Sequence, residues 1–569
     1  MRRTILILLV AVPLLGPAPA RAADRFTFYG SGNGHGLGLS QWGAYGLALR
    51  GWSHREILTH FYTGTEVRRV AEGPARLRIG LAQGERRVRL AAEEAGVELR
   101  LGGTGGERVA TIPAGETWTV RIRDGRYRVL DASGAPAGGP VGGPDAHLFA
   151  VYAPQGARVR IPEAGHAYAR GWIEFNLYDC PAACRIRLVL SIAPQEYLYG
   201  LGEVPSSWPE EALEAQAVAA RTYAFAKAAY GQHRPVCNCA LYASAADQVY
   251  VGWDKEAGAD GERWVRAVDA TEGEVVVHQG EVITAFYSSS SGGHTEDNEN
   301  VWGGTPIPYL RGVCDPGDYT PANPSRVWEV SFTADEVTQR LRLYTGDIGT
   351  VRGFAAAVRG VSGRIVSILV RGDAGEARIS GGELRVGLGL RDDRVWINVD
   401  KNVVGDIRAE YDALGCAPGL PTTPQARVPG GLRQRFAVGA IYRNDAVGAT
   451  VWLRGPIYDK YRALGEAGSI LGLPRSGRVR RRADRLPGGR RRLRAPRAGP
   501  RPLPRARGRG RPPGVPHERR AVPGRGRLGR GLRGRPHRVL ARRPLPAGLS
   551  GGRRPARFLH QPAPLVPRS

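Results

Sequence analysis

Between Ala75 and Pro162 apolar and polar side chains alternate in short runs: ARLRIGLA (75–82), RRVRLAA (86–92), GVELRLGG (96–103), WTVRIRDGRYRVLD (118–131), HLFAVYA (147–153) and ARVRI (157–161). A period of two, broken by glycine-rich turns, predicts antiparallel β structure. GWIEFNLYD (171–179) and CRIRLVLSI (184–192) extend it by a strand pair. The period then changes in SSWPEEALEAQAVAARTYAFAKAAYG (206–231), where Leu213, Ala217, Ala220 and Ala224 recur at helical intervals. Ser206 or Ser207 is the expected cap, Pro209 suits the first turn, Glu210, Glu211 and Glu214 complement the helix dipole, and Gly231 follows the last turn. The small residues on its face predict close packing against a sheet. EVVVHQGEVITAFYSSSS (274–291) predicts a hairpin turning at Gln279-Gly280, followed by strands in VWEVSFT, IVSILVRG and EARISG and short helices in ADEVTQRLRLY and GGELRVGLGL. The fold class expected is α+β: an antiparallel, β-rich domain with one key helix, followed by small repeat units and a disordered tail.

Beyond residue 400 the chain repeats itself. IRAEYDALG (407–415) returns as IYDKYRALG (457–465), GLP (419–421) as GLP (472–474), and PGG (429–431) as PGG (487–489), a period of about fifty residues. Such a unit cannot bury a face alone, so stacked copies are expected.

Composition changes the picture at the two ends. Residues 1–22 have two arginines ahead of an apolar run from Ile5 to Leu15, and small residues around Arg21 before Ala23, the pattern of a secretory signal. That run is too short to span a bilayer, and no later stretch reaches about 18 uninterrupted apolar residues. The expected location is secreted or wall-associated, with no membrane span. From Arg475 onward there are 30 arginines against two acids, Asp484 and Glu518, which accounts for the whole net charge of +28. The preceding body is neutral, and nucleic acid is not an expected partner. A segment so poor in apolar residues cannot offset its conformational entropy and is expected to be disordered. It reads as a polybasic arm, as an inert linker, or, the version favoured here, as the product of a reading-frame error, since the recognisable repeat stops where it begins.

GSGNGHGLGLSQWGAYG (30–46) places glycine at every second position from Gly30 to Gly38. A dinucleotide fingerprint would need glycine at first, third and sixth positions, and a phosphate loop would need Gly-Lys-Ser/Thr; both are missing. A tight corner is the expectation. The six cysteines of an exported chain suggest disulfides. Cys180 with Cys184 is one expected pair; for another, Cys237 or Cys239 joins Cys314, and Cys239–Cys314 is the version adopted. The alternative is zinc held by one of these cysteines with His233 or His294; no cofactor is otherwise expected.

EYLYGLGEVPSSWPEEALEAQAVAARTYAFAK resembles the signature of the SpoIID/LytB (stage II sporulation protein D) family. DQVYVGW (247–253), ITAFYSSSSGGHTEDNENVWGGTPIPYLRGV (283–313), the GELRVGLGL segment (382–390) and the opening GNGHGLGLSQWGAYG agree with it, over about residues 26–397. The repeats resemble LGFP repeats, which are thought to engage the cell wall. The organisation expected is a signal peptide at 1–22, a SpoIID-like domain at 23–400 (opening segment 26–67, β-rich part 75–165, catalytic core 168–397), LGFP-like repeats at 401–489 and an Arg/Pro/Gly-rich tail at 490–569. In the family the GHG-SQ-GA segment closes the domain, whereas here it comes first. A permuted order in which it fills the same place puts Gly34 to Gln41 beside the end of the core near Val395.

The resemblance implies a peptidoglycan lytic transglycosylase. One carboxyl protonates the leaving glycosidic oxygen, then takes the proton of the C6 hydroxyl as it closes a 1,6-anhydro ring. Acid and base roles held in turn require a raised pKa, and no second carboxylate at hydrolase spacing is needed. Glu203, among apolar and small neighbours in a strand-to-helix turn, is the expected catalytic residue. Arg221, Gln248, Tyr250, Tyr287, Ser290, Ser291, His294, Thr295, His35 and Gln41 are the expected glycan-binding set. Arg221 reads equally as a structural salt bridge, His35 as a packed ring, and Trp42 and Tyr45 as core or sugar-stacking rings. A serine nucleophile lacks its G-x-S-x-G elbow. The rival reading is a non-catalytic wall-binding or autolysin-modifying protein, because the family name LytB denotes a modifier.

Overall fold

The computed structural model describes residues 25–71 and 73–476. The expected signal, the second PGG and the tail from 490 lie outside the described residues. Strands are mostly antiparallel and mixed with helices, an α+β architecture. The alternating runs form two sheets. The seven-stranded sheet runs Leu241–Tyr242, Leu77–Glu85, Arg185–Ile192, Trp172–Tyr178, Leu148–Val151, Val97–Leu101, Glu107–Ile112. The five-stranded sheet runs His166–Tyr168, Arg158–Ile161, Arg87–Glu93, Thr117–Arg123, Arg126–Leu130. Val88, Leu90 and Val120 of the second share one core with Leu99, Ile173 and Phe175 of the first. Period two sends every other side chain to that interior, and each fully buried aliphatic or aromatic side chain contributes about 1.5–3 kcal/mol.

The long helix, Glu210–Tyr230, is buried at every residue from Ala212 to Ala224. Alanine is the commonest residue of that stretch, and its buried Glu214, Arg221 and Thr222 find polar partners inside, which lets the whole helix lie in the interior. Its main sheet neighbour is the strand Glu274–His278, and four helices surround the rest: Gln41–Ala48, His54–Phe61, Pro194–Tyr199 and Gly261–Ala270. Its cap position falls on Pro209 and makes no side-chain cap bond, so neither Ser206 nor Ser207 caps it. The hairpin turns at Gln279-Gly280 as expected, but its second strand stops at Val282; Tyr287–Ser288 leaves it to pair in parallel with Leu39–Ser40.

The alternating glycines form the expected corner, with Gly32, Gly34, Gly36 and Gly38 all at positive φ, where a side chain is strained. Two helices that follow are absent from the pattern reading; for the first, Gln41–Ala48, the reason lies in Gly43 and Gly46. A Cβ on Gly43 would stand 2.3 Å from Asp315 Oδ2, and one on Gly46 2.0 Å from the Gly317 carbonyl. Close approach costs that helix its propensity and hides its period.

Strand Arg25–Gly30 lies between Trp328–Thr333 and Val395–Ile397, with Gly30 opposite Val395. The Gly34 N–H donates to the Arg391 carbonyl (3.0 Å). The start of the opening segment is therefore beside the end of the core, as a permuted order requires. A second core gathers there around Phe26, Phe28, Val337, Val370 and Leu384.

In the repeat region a four-stranded sheet, Ala426–Val428, Gly431–Arg435, Ala440–Asn444, Ala449–Leu453, carries a helix for each repeat. Neighbouring residues Ile441 and Tyr442 point to opposite faces. Ile441 packs with Ile407 and Tyr411 of helix Gly405–Ala413, and Tyr442 with Tyr458 and Tyr461 of helix Gly455–Ala463. Each copy thus covers one face of a shared sheet.

All six cysteines are paired: Cys180–Cys184 as expected, Cys237–Cys239 and Cys314–Cys416. The Cys239–Cys314 pairing is corrected. Cys239 is packed with Cys237 and Val189 against the seven-stranded sheet, while Cys314 lies in the cluster of Val403, Ile407 and Cys416 beneath the first repeat helix. The thiolates of the zinc alternative are consumed in these bonds.

Candidate active site

Glu203 stands in the turn between helices Pro194–Tyr199 and Glu210–Tyr230. The turn is held against residues 249–251: the Gly202 N–H donates to the Val249 carbonyl (2.9 Å) and the Val251 N–H to the Gly200 carbonyl (2.8 Å). Below it, buried Lys255 donates to the Val204 carbonyl (2.6 Å).

The two carboxyl oxygens of half-buried Glu203 are treated differently. Oε1 accepts the Val249 N–H (2.7 Å) and the Tyr287 hydroxyl (3.0 Å), whereas Oε2 has a single distant donor, Gln41 Nε2 at 3.5 Å. Burial raises the Glu203 pKa, and the bonds from Val249, Tyr287 and Gln41, which oppose the shift, do not cancel it. When the group is protonated, the proton belongs on Oε2. None of these hydrogen-bond partners is a carboxylate.

A chain of bonds fixes Tyr287. Tyr197 Oη donates to Gln248 Oε1 (3.1 Å), and Gln248 Nε2 donates to the Tyr287 oxygen (2.9 Å) and the Ala220 carbonyl (3.2 Å). With its oxygen accepting from Gln248, the Tyr287 hydroxyl is aimed at Glu203. On the other side, Gln41 Nε2 also donates to Gln216 Oε1 (3.2 Å).

Of the expected glycan-binding set, Gln41 and Tyr287 touch Glu203. Gln248, wholly enclosed, acts through Tyr287. The rest lie elsewhere, most of them buried among protein partners. Tyr250 is 3% exposed and stacked with Tyr197 and Tyr168. Arg221 donates to the Glu274 and Val268 carbonyls and to Gln195 inside the helix cluster. Thr295 exchanges bonds with the Val313 backbone, and His294 bonds the Thr295 carbonyl. The Leu37 N–H donates to His35 Nδ1, and burial lowers that ring to about 3, so it is neutral and carries its proton on Nε2. It lies beside Trp302 and Phe286. Trp42 and Tyr45 pack against Trp208 of the Glu203 turn in tilted and edge-on contacts.

Ser290 and Ser291 belong to a clamp that pattern reading missed. Ser290 Oγ donates to Asp318 Oδ1 (2.8 Å), Ser40 Oγ to the same oxygen (3.2 Å), and Ser291 Oγ to Asp315 Oδ2 (2.6 Å). Both aspartates are fully buried; burial lifts Asp315 to about 6, and burial with the charge of Asp315 lifts Asp318 to about 7. The clamp ties Ser40, which caps the helix bearing Gln41, to the strand bearing Tyr287. VCDPGDY, two aspartates flanking a Pro-Gly turn beside a cysteine, was the available signal.

Among the described residues, His54, Glu211 and Glu214 also converge, within 4.8 Å of one another. They are joined as an ion-pair group: His54 Nδ1 lies 2.8 Å from Glu214 and 3.1 Å from Glu211, and Nε2 lies 3.1 Å from Glu274.

Residues 184–278, which hold Glu203, Gln216 and Gln248, match the SpoIID family model, described as stage II sporulation protein, and residues 419–469 match the LGFP repeat model. The chain carries a SpoIID domain and an LGFP repeat. It is similar to the protein named amidase enhancer of Bacillus subtilis (strain 168), 39% identical over 116 residues, 20% of this chain and 14% of that protein. It is also similar to the stage II sporulation protein D of Bacillus amyloliquefaciens, 28% identical over 213 residues (36% of this chain, 59% of that one), and to that of Bacillus subtilis (strain 168), 32% identical over 170 residues (27% and 47%). The chain thus spans 14% to 59% of the length of these relatives. Gln41 and Tyr287, which complete the surroundings of Glu203, lie outside the matched SpoIID segment. No helix among the described residues is long and apolar enough to cross a membrane.

Proposed function

We propose that this chain is an exported, wall-associated lytic transglycosylase that cuts peptidoglycan glycan strands with Glu203 and leaves 1,6-anhydro-muramic ends. The observation that carries the reading is the solitary, partly enclosed carboxyl of Glu203, with one oxygen doubly hydrogen-bonded and the other nearly free. Burial favours its protonated form, the state a general acid needs. Oε2 delivers its proton to the leaving glycosidic oxygen. The resulting carboxylate, steadied by Val249 and Tyr287, then removes the C6 hydroxyl proton as that oxygen attacks the anomeric carbon. The LGFP repeat is read as the wall-binding part. Glu203→Gln keeps the shape and removes the transferable proton. Purified protein incubated with peptidoglycan, with and without peptide stems, is expected to release anhydro-sugar products detectable by mass spectrometry, and the variant none; full release by the variant sinks the reading.

A second reading has its own support in the similarity to a protein named amidase enhancer. A non-catalytic modifier would stimulate a separate wall amidase equally well with glutamate or glutamine at 203, and would release no anhydro products itself.

A further inference from the structure

Gln216 presents an anomaly beside Glu203. Its side chain is 2% exposed, Oε1 accepts from Gln41, and Nε2 is enclosed without an acceptor. A buried amide N–H left unpaired is rare and more costly than a buried lone carbonyl. Gln41, 7% exposed, places Nε2 between two acceptors, Gln216 Oε1 (3.2 Å) and Glu203 Oε2 (3.5 Å). Its two N–H groups are matched to these two oxygens, an arrangement suited to the ionised carboxylate alone.

Turning both carboxamides over exchanges oxygen for nitrogen at each end without altering their shape. Gln41 then offers Oε1, whose two lone pairs face Gln216 Nε2 and Glu203 Oε2. That arrangement suits the protonated carboxyl, and the enclosed, unpartnered position of Gln216 is now a carbonyl. Each protonation state of Glu203 therefore has one setting of the amide pair that matches it at Oε2, while the enclosed outer atom of Gln216 has no partner in either setting. Since Oε1 is already saturated by Val249 and Tyr287, Oε2 is the oxygen whose proton the amides sense.

We propose that Gln41 and Gln216 form a paired-amide switch that follows the proton of Glu203, donating to the carboxylate and accepting from the acid. The inference rests on the reading of Glu203 as a group that acts first as acid and then as base. The switch makes and breaks no covalent bond. The proton leaves Oε2 for the glycosidic oxygen, the amides turn over to hold the anion, and they return when the C6 hydroxyl proton arrives. Gln216 is a positioning residue, since it reaches Glu203 through Gln41.

Neutron diffraction from deuterated crystals of the wild-type chain at acid and at alkaline pH tests this directly. The expected result is deuterium on Gln41 facing Glu203 in the alkaline crystal, and on Gln216 facing Gln41 in the acid one. The same settings at both pH values overturn the switch. Gln216→Met removes both amide atoms from a residue that does not touch Glu203. It is expected to lower kcat about tenfold, the ratio of about one hydrogen bond, at unchanged KM. An unchanged kcat, or a loss in KM alone, also overturns the switch. If the wild-type protein releases no anhydro products the proposed reaction falls, and the neutron comparison still decides the switch by itself.

Discussion

The Tyr287 hydroxyl points at Glu203 Oε1 from 3.0 Å because its own oxygen is engaged by Gln248 Nε2 at 2.9 Å. A hydroxyl free to rotate would spend part of its time elsewhere. Tyr287→Phe removes the donor and leaves the ring, so Glu203 loses a bond that favours its ionised form. The pKa of Glu203 is expected to rise further, moving the limb of the pH–rate profile that reports it to higher pH, and kcat is expected to fall about tenfold to a hundredfold. Steady-state kinetics of anhydro-product release across pH checks both.

The clamp beneath the site makes stability depend on pH in the direction opposite to an ordinary salt bridge. Asp318 holds its proton up to about pH 7 in the folded chain and releases it near 3.8 when unfolded. Between these values the folded state binds more protons, so stability falls as pH rises. Asp318→Asn is expected to flatten that slope while retaining an acceptor for Ser290. Thermal unfolding measured through this window checks it.

His54 sets the alkaline side. Burial pulls its pKa down, but the bonds to Glu214, Glu274 and Glu211 outweigh it and carry the ring to about 9 from 6.5. Its contribution is complete below about 6.5 and lost as pH rises through about 9. With the Glu211 side chain 43% exposed, solvent screening holds it to about 2 kcal/mol. His54→Gln is expected to lower the melting temperature at neutral pH and to leave it nearly unchanged at alkaline pH.

The Cys314–Cys416 disulfide spans 102 residues and ties the first repeat helix to the segment that carries Asp315. Replacing both cysteines by serine is expected to cost about 2–4 kcal/mol by releasing that loop in the unfolded chain. Denaturant unfolding of the variant beside the wild type measures the loss. Arg408, whose Nη2 reaches the Asp315 carbonyl at 3.4 Å, still seats the helix, so anhydro-product release is expected to persist at low temperature.

What the sequence made legible was local. Alternation disclosed the strands of the two large sheets and helical spacing disclosed Glu210–Tyr230, whereas Glu203 comes from the family resemblance, with its apolar neighbours in accord. Gln216 was hidden because a glutamine on a helix otherwise rich in alanine carries no periodic mark of its own. Ser290 and Ser291 read as sugar-facing hydroxyls because their partners, Asp318 and Asp315, stand in a later turn and across a fold that composition does not reveal. The Cys314 pairing failed for the same reason: its partner arrives with the first repeat, which the sequence divides from the core and the structure does not.

Strand Arg25–Gly30 is the middle strand of its sheet, flanked by strands that begin at Trp328 and Val395. A chain made from its N-terminus therefore holds this strand without a neighbour until Trp328–Thr333 has been made, and without its second neighbour until Val395–Ile397, and contacts of such range fold slowly. The Gln41 helix cannot be anchored from that side before then. Glu203 meets Tyr287 only once that later segment is made, and the Gln41 helix is clamped only once Asp318 follows, so a copy that stops earlier carries the carboxyl without the surroundings that would arm it.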